Sequence, residues 1–158
     1  MIRMRLMTHA FLSNGNHTLM LKRAGSKKLA PNMWTGVGGH IEDGEQSNPE
    51  LAVIREIEEE TGITGLDLTT IELRYIMMRK VEDEIRQHFV YFAETSRSDF
   101  IPCDEGELSW IDTTKLLSLQ LPLTIQKVLE HRVQHPASED VFLGTILKES
   151  VQWSILDR

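Results

Sequence analysis

Apolar and polar positions along this chain alternate with two different periods, and the switches between them mark out its elements. Residues 3–13 (RMRLMTHAFLS) and 17–23 (HTLMLKR) read as strands. The turn Asn14-Gly15-Asn16 lies between them, and an Asn-Gly pair between two apolar runs signals a hairpin. Residues 24–33 form a basic loop with Gly and Pro, and 34–37 a short strand. A helical pattern comes next. At about 100° per residue, Leu51, Ile54 and Ile57 share one side, with Val53 at its edge. Asn48 or Ser47 before Pro49 is a start signal, and Gly62 stands where a helix end commonly takes glycine.

Residues 66–79 read as one long β-rich segment, with branched side chains at Thr69, Thr70, Ile71 and Ile76. Residues 80–87 are charged and read as a hairpin tip, and 88–95 (HFVYFAET) as the partner strand. A polar loop covers 96–106, and 107–111 is a strand holding Trp110. Asp112 or Thr113 caps a short helix over 114–117. Pro122 introduces a longer helix to about residue 135, with Leu123, Ile125, Val128 and Leu129 as its apolar set. Residues 141–147 and 151–156 read as a final hairpin. This order predicts an α/β fold with a mixed sheet between helices. The chain shows no repeat, low-complexity tract or linker, so its 158 residues are expected to form one domain.

Composition narrows the function. Hydrophobic residues are 41% and charged residues 26%, ordinary for a soluble globular protein. The net charge of −7 argues against a binder of polymeric nucleic acid. It leaves room for a small anionic substrate, because a bound cation inverts the local field. Cys103 is the single cysteine, so no internal disulfide forms and a reducing compartment is expected. Cys103 reads as a packed residue rather than a nucleophile. No apolar run has the length of a membrane span, and MIRMRLMTHAFL lacks the features of a signal peptide. A cytoplasmic protein with no membrane partner is expected.

The helix over 49–61 carries the chemistry. Glu56, Glu59 and Glu60 fall within a sector of about 100°. Carboxylates three and four positions apart repel one another, and a divalent cation would turn that repulsion into coordination. Oxygen donors without Cys or His suit Mg²⁺ or Mn²⁺ better than Zn²⁺. A solvated acidic face is the competing reading of the helix alone. Gly38 and Gly39 precede it, as where a chain needs close backbone approach.

The stretch over 38–63, GGHIEDGEQSNPELAVIREIEEETGI, resembles the Nudix box, G-x5-E-x7-R-E-U-x-E-E-x-G-U with U aliphatic. Gly39, Glu45, Arg55, Glu56, Ile57, Glu59, Glu60, Gly62 and Ile63 match it. One departure is plain: nine residues, 46–54, separate Glu45 from Arg55 where the pattern has seven. The extra two fall in the QSNP segment, where a loop can absorb them. The resemblance implies an α/β/α sandwich and metal-dependent hydrolysis of a nucleoside diphosphate linked to another group. By matching position, Glu59 and Glu60 would be the principal metal ligands, and Glu56 a ligand or the base for water. Arg55 would hold a carboxylate, with Glu45 as partner, and the Gly38 carbonyl would add a metal contact.

The stretch over 103–122, CDEGELSWIDTTKLLSLQLP, is similar to the segment after the box in MutT-like Nudix enzymes. Glu105 matches their loop glutamate near the metals, with Glu107 as the competing position. The resemblance also favours phosphate contacts for Arg23, and Gly39 and His40, which follows the Gly pair, are expected to take part in substrate binding. The bland reading of Lys22-Arg23 is an edge pair kept in water. His9, His17, His88, His131 and His135 form no constellation and are expected to be structural or exposed. A nucleoside triphosphate is the expected substrate, with 8-oxo-dGTP first, helped by Lys27 and Lys28 in the basic loop. ADP-ribose and dinucleoside polyphosphates are the alternatives. A non-catalytic nucleotide-sensing module is another, although such modules typically lose box carboxylates and all stand here. The tail with Trp153 resembles the nucleotide-sanitising branch of the family, with a homodimer interface as the alternative.

Overall fold

β1 (Arg3–Asn14) is the strand against which the functional region is built. Its side chains alternate, so Ala10 and Leu12 face one side of the sheet and Phe11 the other. The structure, a computed structural model, describes residues 1–156. In chain order the remaining elements are β2 (His17–Arg23), β3 (Trp34–Thr35), α1 (Pro49–Thr61), β4 (Leu68–Val81), β5 (Glu84–Thr95), β6 (Gly106–Asp112), α2 (Leu123–Gln134), β7 (Phe142–Leu147) and β8 (Ser150–Ile155). The sheet runs β3-β2-β1-β5-β4-β7-β8, and β6 pairs with β2. The β1–β5 and β4–β7 pairs are parallel and the others antiparallel, so the sheet is mixed.

Each face of the sheet has its own helix and core. Val53 and Ile57 of α1 pack with Ala10, Leu12, Leu19, Ile63 and Tyr91. On the other face Ile125, Val128 and Leu129 of α2 pack with Phe11, Met20, Tyr75, Met77 and Val90. Burying one such side chain contributes about 1.5–3 kcal/mol. The two cores make the expected α/β/α sandwich.

α1 begins where its signals put it. The Asn48 side chain accepts from the Leu51 N–H at 3.2 Å, and Pro49 takes the first turn. Gly62 ends it with φ of 78°, a conformation that branched or bulky residues resist. Its buried stripe differs from expectation. Leu51 is 54% exposed and Ile54 half-buried, while Val53, Ile57, Glu60 and Thr61 are buried. Positions i, i+4, i+7 and i+8 make that stripe, so Glu60 occupies a core-facing position. The charged stretch over 80–87 is also different. It is no extended tip, because β4 and β5 stay paired up to Val81 and Glu84, leaving Glu82 and Asp83 as the turn. Its charges fit within a strand because Glu84 accepts from Arg5 at 2.9 Å and Arg86 at 2.7 Å.

β2 pairs with β1 only at Leu12, Ser13 and Asn14, which frees the edge of β1 before them. The segment leading to α1 takes that edge. Ala10 N–H donates to the Val37 carbonyl at 2.6 Å, Thr8 N–H to Gly39 at 2.8 Å and Ile41 N–H to Leu6 at 3.0 Å. That register carries Gly38 and Gly39 across the carboxylate side of α1.

Candidate active site

Gly38 lies where backbone excludes a side chain, and Gly39 where a side chain would displace Glu56. A Cβ on Gly38 would stand 2.1 Å from the Thr8 carbonyl oxygen, and one on Gly39 2.6 Å from the Glu56 carboxyl carbon. The space left by Gly39 is therefore filled by the Glu56 carboxylate. The Gly38 N–H donates to Glu60 Oε2 at 3.0 Å. Burial raises both carboxyl pKa values, that of Glu60 to about 8.

Arg55 organises the acidic side chains around it. Its Nε and one terminal nitrogen form a fork on Glu45 at 2.9 and 3.0 Å. Its other terminal nitrogen donates to Glu56 at 2.9 Å and Glu59 at 3.2 Å, while the terminal nitrogen of the fork also donates to the His40 carbonyl at 3.1 Å. Hydrogen bonds from Arg55 lower the Glu45 pKa, and the acidic partners hold Arg55 more firmly protonated. The two extra residues before the helix are absorbed as a turn. Glu45 N–H donates to Glu42, Asn48 N–H to Glu45, and Glu42 N–H closes on the Glu45 carboxylate at 2.9 Å.

These groups border a cavity of about 610 Å³, within the usual range for small-molecule sites. Glu56, Glu60 and Glu105 line it together with Gly38, Gly39, His40 and Arg23. Glu59 does not line it, and its side chain is 58% exposed and turned to Arg55. Glu105 is held by Lys27, whereas Glu107 is exposed on β6 opposite Lys22. Arg23 keeps its place through an Nε–H donated to the Leu29 carbonyl at 2.8 Å.

Among the described residues no three acidic, histidine or cysteine side chains form a ready metal cage. The donor chemistry nonetheless fits a hard divalent cation. Buried Glu60 and half-buried Glu56 face the cavity, and Glu56 and Glu105 both disfavour the charged form of Glu60. A cation would relieve that repulsion. Glu56, Glu60 and Glu105 are the side chains placed to hold it at the cavity, and Glu59 could join after release from Arg55.

The histidine expectation needs correction. His9 and His88 line this same cavity, stacked with ring centroids 5.0 Å apart and His9 Nε2 2.8 Å from His88 Nδ1. Burial lowers both pKa values, that of His88 to about 4, with Arg86 and Arg79 adding to the shift. Arg79 and Arg86 line the cavity too. The alternation Glu84, Arg86, His88, Val90 was the signal that could have found them. The other histidines are structural or exposed: His131 is buried beside Tyr75 and Trp153, while His17 and His135 are exposed. Trp153 packs on Tyr75 and His131 and does not line the cavity. Burial raises the Cys103 thiol pKa.

The chain matches the NUDIX domain family model over residues 4–132 and belongs to that family. It is an enzyme of the pyrophosphohydrolase type. Solved structures share the fold. A mutator MutT protein from Bacillus halodurans has a TM-score of 0.72 at 22% identity, with 96% of this chain and 97% of that one covered. A MutT NUDIX hydrolase from Burkholderia pseudomallei has 0.67 at 26% identity, covering 81% and 97%. The NUDIX domain of Shewanella oneidensis NrtR, solved with ADP ribose, has 0.67 at 15%, covering 87% and 90%. No helix among the described residues is long and apolar enough to cross a membrane.

Proposed function

We propose that this protein hydrolyses a nucleoside diphosphate linked to another group, with a nucleoside triphosphate as its substrate and 8-oxo-dGTP as the first candidate. The observation that carries this is the pair of carboxylates, half-buried Glu56 and buried Glu60, set against Gly38 and Gly39 at a cavity of nucleotide size. Water attacks phosphorus, and a phosphate ester or pyrophosphate leaves. Mg²⁺, or Mn²⁺, held by Glu56, Glu59, Glu60, Glu105 and the Gly38 carbonyl would neutralise the phosphates and acidify water. Glu56 is placed to accept the proton from the attacking water if it is not a ligand. Arg55 positions Glu56 and Glu59 through the terminal nitrogen outside its Glu45 fork, and Arg23 and His40 would contact phosphate at the cavity wall. The intact set of box carboxylates favours turnover over sensing. The lone Cys103 and the absence of a spanning helix among the described residues fit a cytoplasmic nucleotide enzyme.

The test is kcat/KM with Mg²⁺ for 8-oxo-dGTP, dGTP, dATP, ADP-ribose and a dinucleoside tetraphosphate, with products identified. Preference for 8-oxo-dGTP is expected. A tenfold preference for ADP-ribose or the dinucleotide removes the triphosphate assignment, and no turnover on any member removes the hydrolase reading.

A further inference from the structure

The floor of the cavity is built from the middle of the sheet. Arg86 on β5 stands beside Arg5 on β1 and Arg79 on β4, and one row on, His88 stands between Met7 and Met77. Period-two alternation puts these side chains on the face that α2 covers further along. Since α2 begins only at Leu123, residues 122–125 form a wall of the cavity rather than its floor.

Three arginines side by side on neighbouring strands repel one another. Glu84 offsets part of that charge by accepting from Arg5 and Arg86. Arg79 has no side-chain hydrogen bond or ion pair among the described residues, yet it lines the cavity. This excess of cations sits in a chain of net charge −7, so it is not a general property of the surface. One further polar group there has bonding capacity to spare. His88 is 8% exposed and spends one ring nitrogen on His9. That single shared proton couples the two tautomers. When His9 Nε2 donates, His88 Nε2 carries a hydrogen. When His88 Nδ1 donates, His88 Nε2 is an acceptor.

Resting on the hydrolase reading, we infer that Arg79 and Arg86, with His88, form a selectivity subsite for an oxygen-acceptor group of the substrate remote from the scissile anhydride. A guanidinium fork suits paired acceptors, and such a floor rejects an amino group in their place. The acceptors have two chemical sources: the keto edge of a purine, or a second phosphate on the ribose.

Arg79→Gln tests this, with Arg3→Gln as the control that removes a charge from the exposed Arg3–Asp83 pair. Measured for wild type and both variants are kcat/KM for dGTP against dATP, and for ADP-ribose with and without a ribose 2′-phosphate. In Arg79→Gln, the acceptor-bearing member of one pair should fall about ten- to a hundredfold, mainly through KM, and its partner by less than about threefold. The pair whose ratio collapses identifies the source, and Arg3→Gln should leave both ratios unchanged. Unchanged ratios in Arg79→Gln, or equal losses across all four substrates, overturn the inference. Calorimetric binding of dGMP and dAMP, and of adenosine monophosphate with and without a 2′-phosphate, without metal, gives the same comparison. If the wild type hydrolyses none of the four, the hydrolase reading fails, and the binding ratios still decide the subsite.

Discussion

Gly39→Ala tests the geometry of the site with one methyl group. The added Cβ would stand 2.6 Å from the Glu56 carboxyl carbon and from its nearer oxygen. Carbon atoms in comfortable contact are about 3.5–4.0 Å apart, so the carboxylate must retreat by roughly 1 Å. The backbone of Gly39 has little freedom to do so instead. Its carbonyl accepts from Thr8 N–H at 2.8 Å and from the Thr8 hydroxyl at 3.3 Å. Glu56 therefore turns, and its 2.9 Å bond from Arg55 opens. An off-rotamer side chain costs about 0.5–1.5 kcal/mol and a lost charged hydrogen bond about 1.5–3 kcal/mol. With Arg55 partly in solvent and free to keep its Glu45 fork, a stability loss of about 1–3 kcal/mol is expected. Turnover should fall further, by about a hundredfold, because displacement of a positioned group by 1 Å has that order of effect. Thermal melting and steady-state kinetics under saturating Mg²⁺ measure the two losses. The same change in a Glu56→Gln background should cost little more turnover, since both act through one carboxylate. Full kcat in Gly39→Ala, or losses that add completely in the double variant, would refute the reasoning.

Glu59→Gln and Glu60→Gln should each lower turnover by orders of magnitude with unchanged circular dichroism, and a chelator should abolish activity; near-normal rates in both variants would remove the metal assignment. Glu105→Gln should lose more activity than Glu107→Gln, because Glu105 borders the cavity and Glu107 is exposed; the reverse order moves the role two residues along. His88 titrates at about 4 in the fold against an ordinary value of 6.5, so between these the unfolded chain binds the extra proton. Its contribution is full above pH 6.5 and is lost as pH falls toward 4, so His88→Gln should flatten that part of the stability profile in denaturant melts; an unchanged slope would contradict the burial assigned to it.

The box and its helix were legible because their signals are local. The Asn48 cap, Pro49 and Gly62 fix the limits of α1 through backbone preference alone. The partnership of Arg55 with Glu45 was legible through the resemblance, although the loop between them is longer than the pattern. It survives because Glu45 is tied to Glu42 within its own turn and needs no fixed spacing to the helix. The rotation of the buried stripe was not legible. Counting apolar residues assigns Leu51 to the core and Glu60 to water. The fold reverses both, because the Gly38 N–H offers Glu60 a buried partner and the cavity gives its other oxygen room.

The cavity floor was hidden for a related reason. Residues 80–87 are charged enough to read as a tip, and a strand is recognised chiefly by its apolar alternation. Here polar residues alternate instead, with Glu84, Arg86 and His88 on the face toward the cavity and Ile85 and Phe89 on the other. A run of that composition stays in a sheet only if its charges are met across the strands. Arg5 is 79 positions from Glu84 and His9 is 79 from His88, so the partners that make the run a strand cannot be seen within any local window. The same separation explains the site's design. β1 and β5, paired in parallel, bring the two histidines and the arginines together beneath one cavity, while the free edge of β1 brings Gly38 and Gly39 to its rim. One strand thus aligns the proposed hydrolytic carboxylates on one side with the proposed selectivity groups on the other. A substitution that shifts the register of β1 by one residue would exchange the two faces and should disrupt both at once.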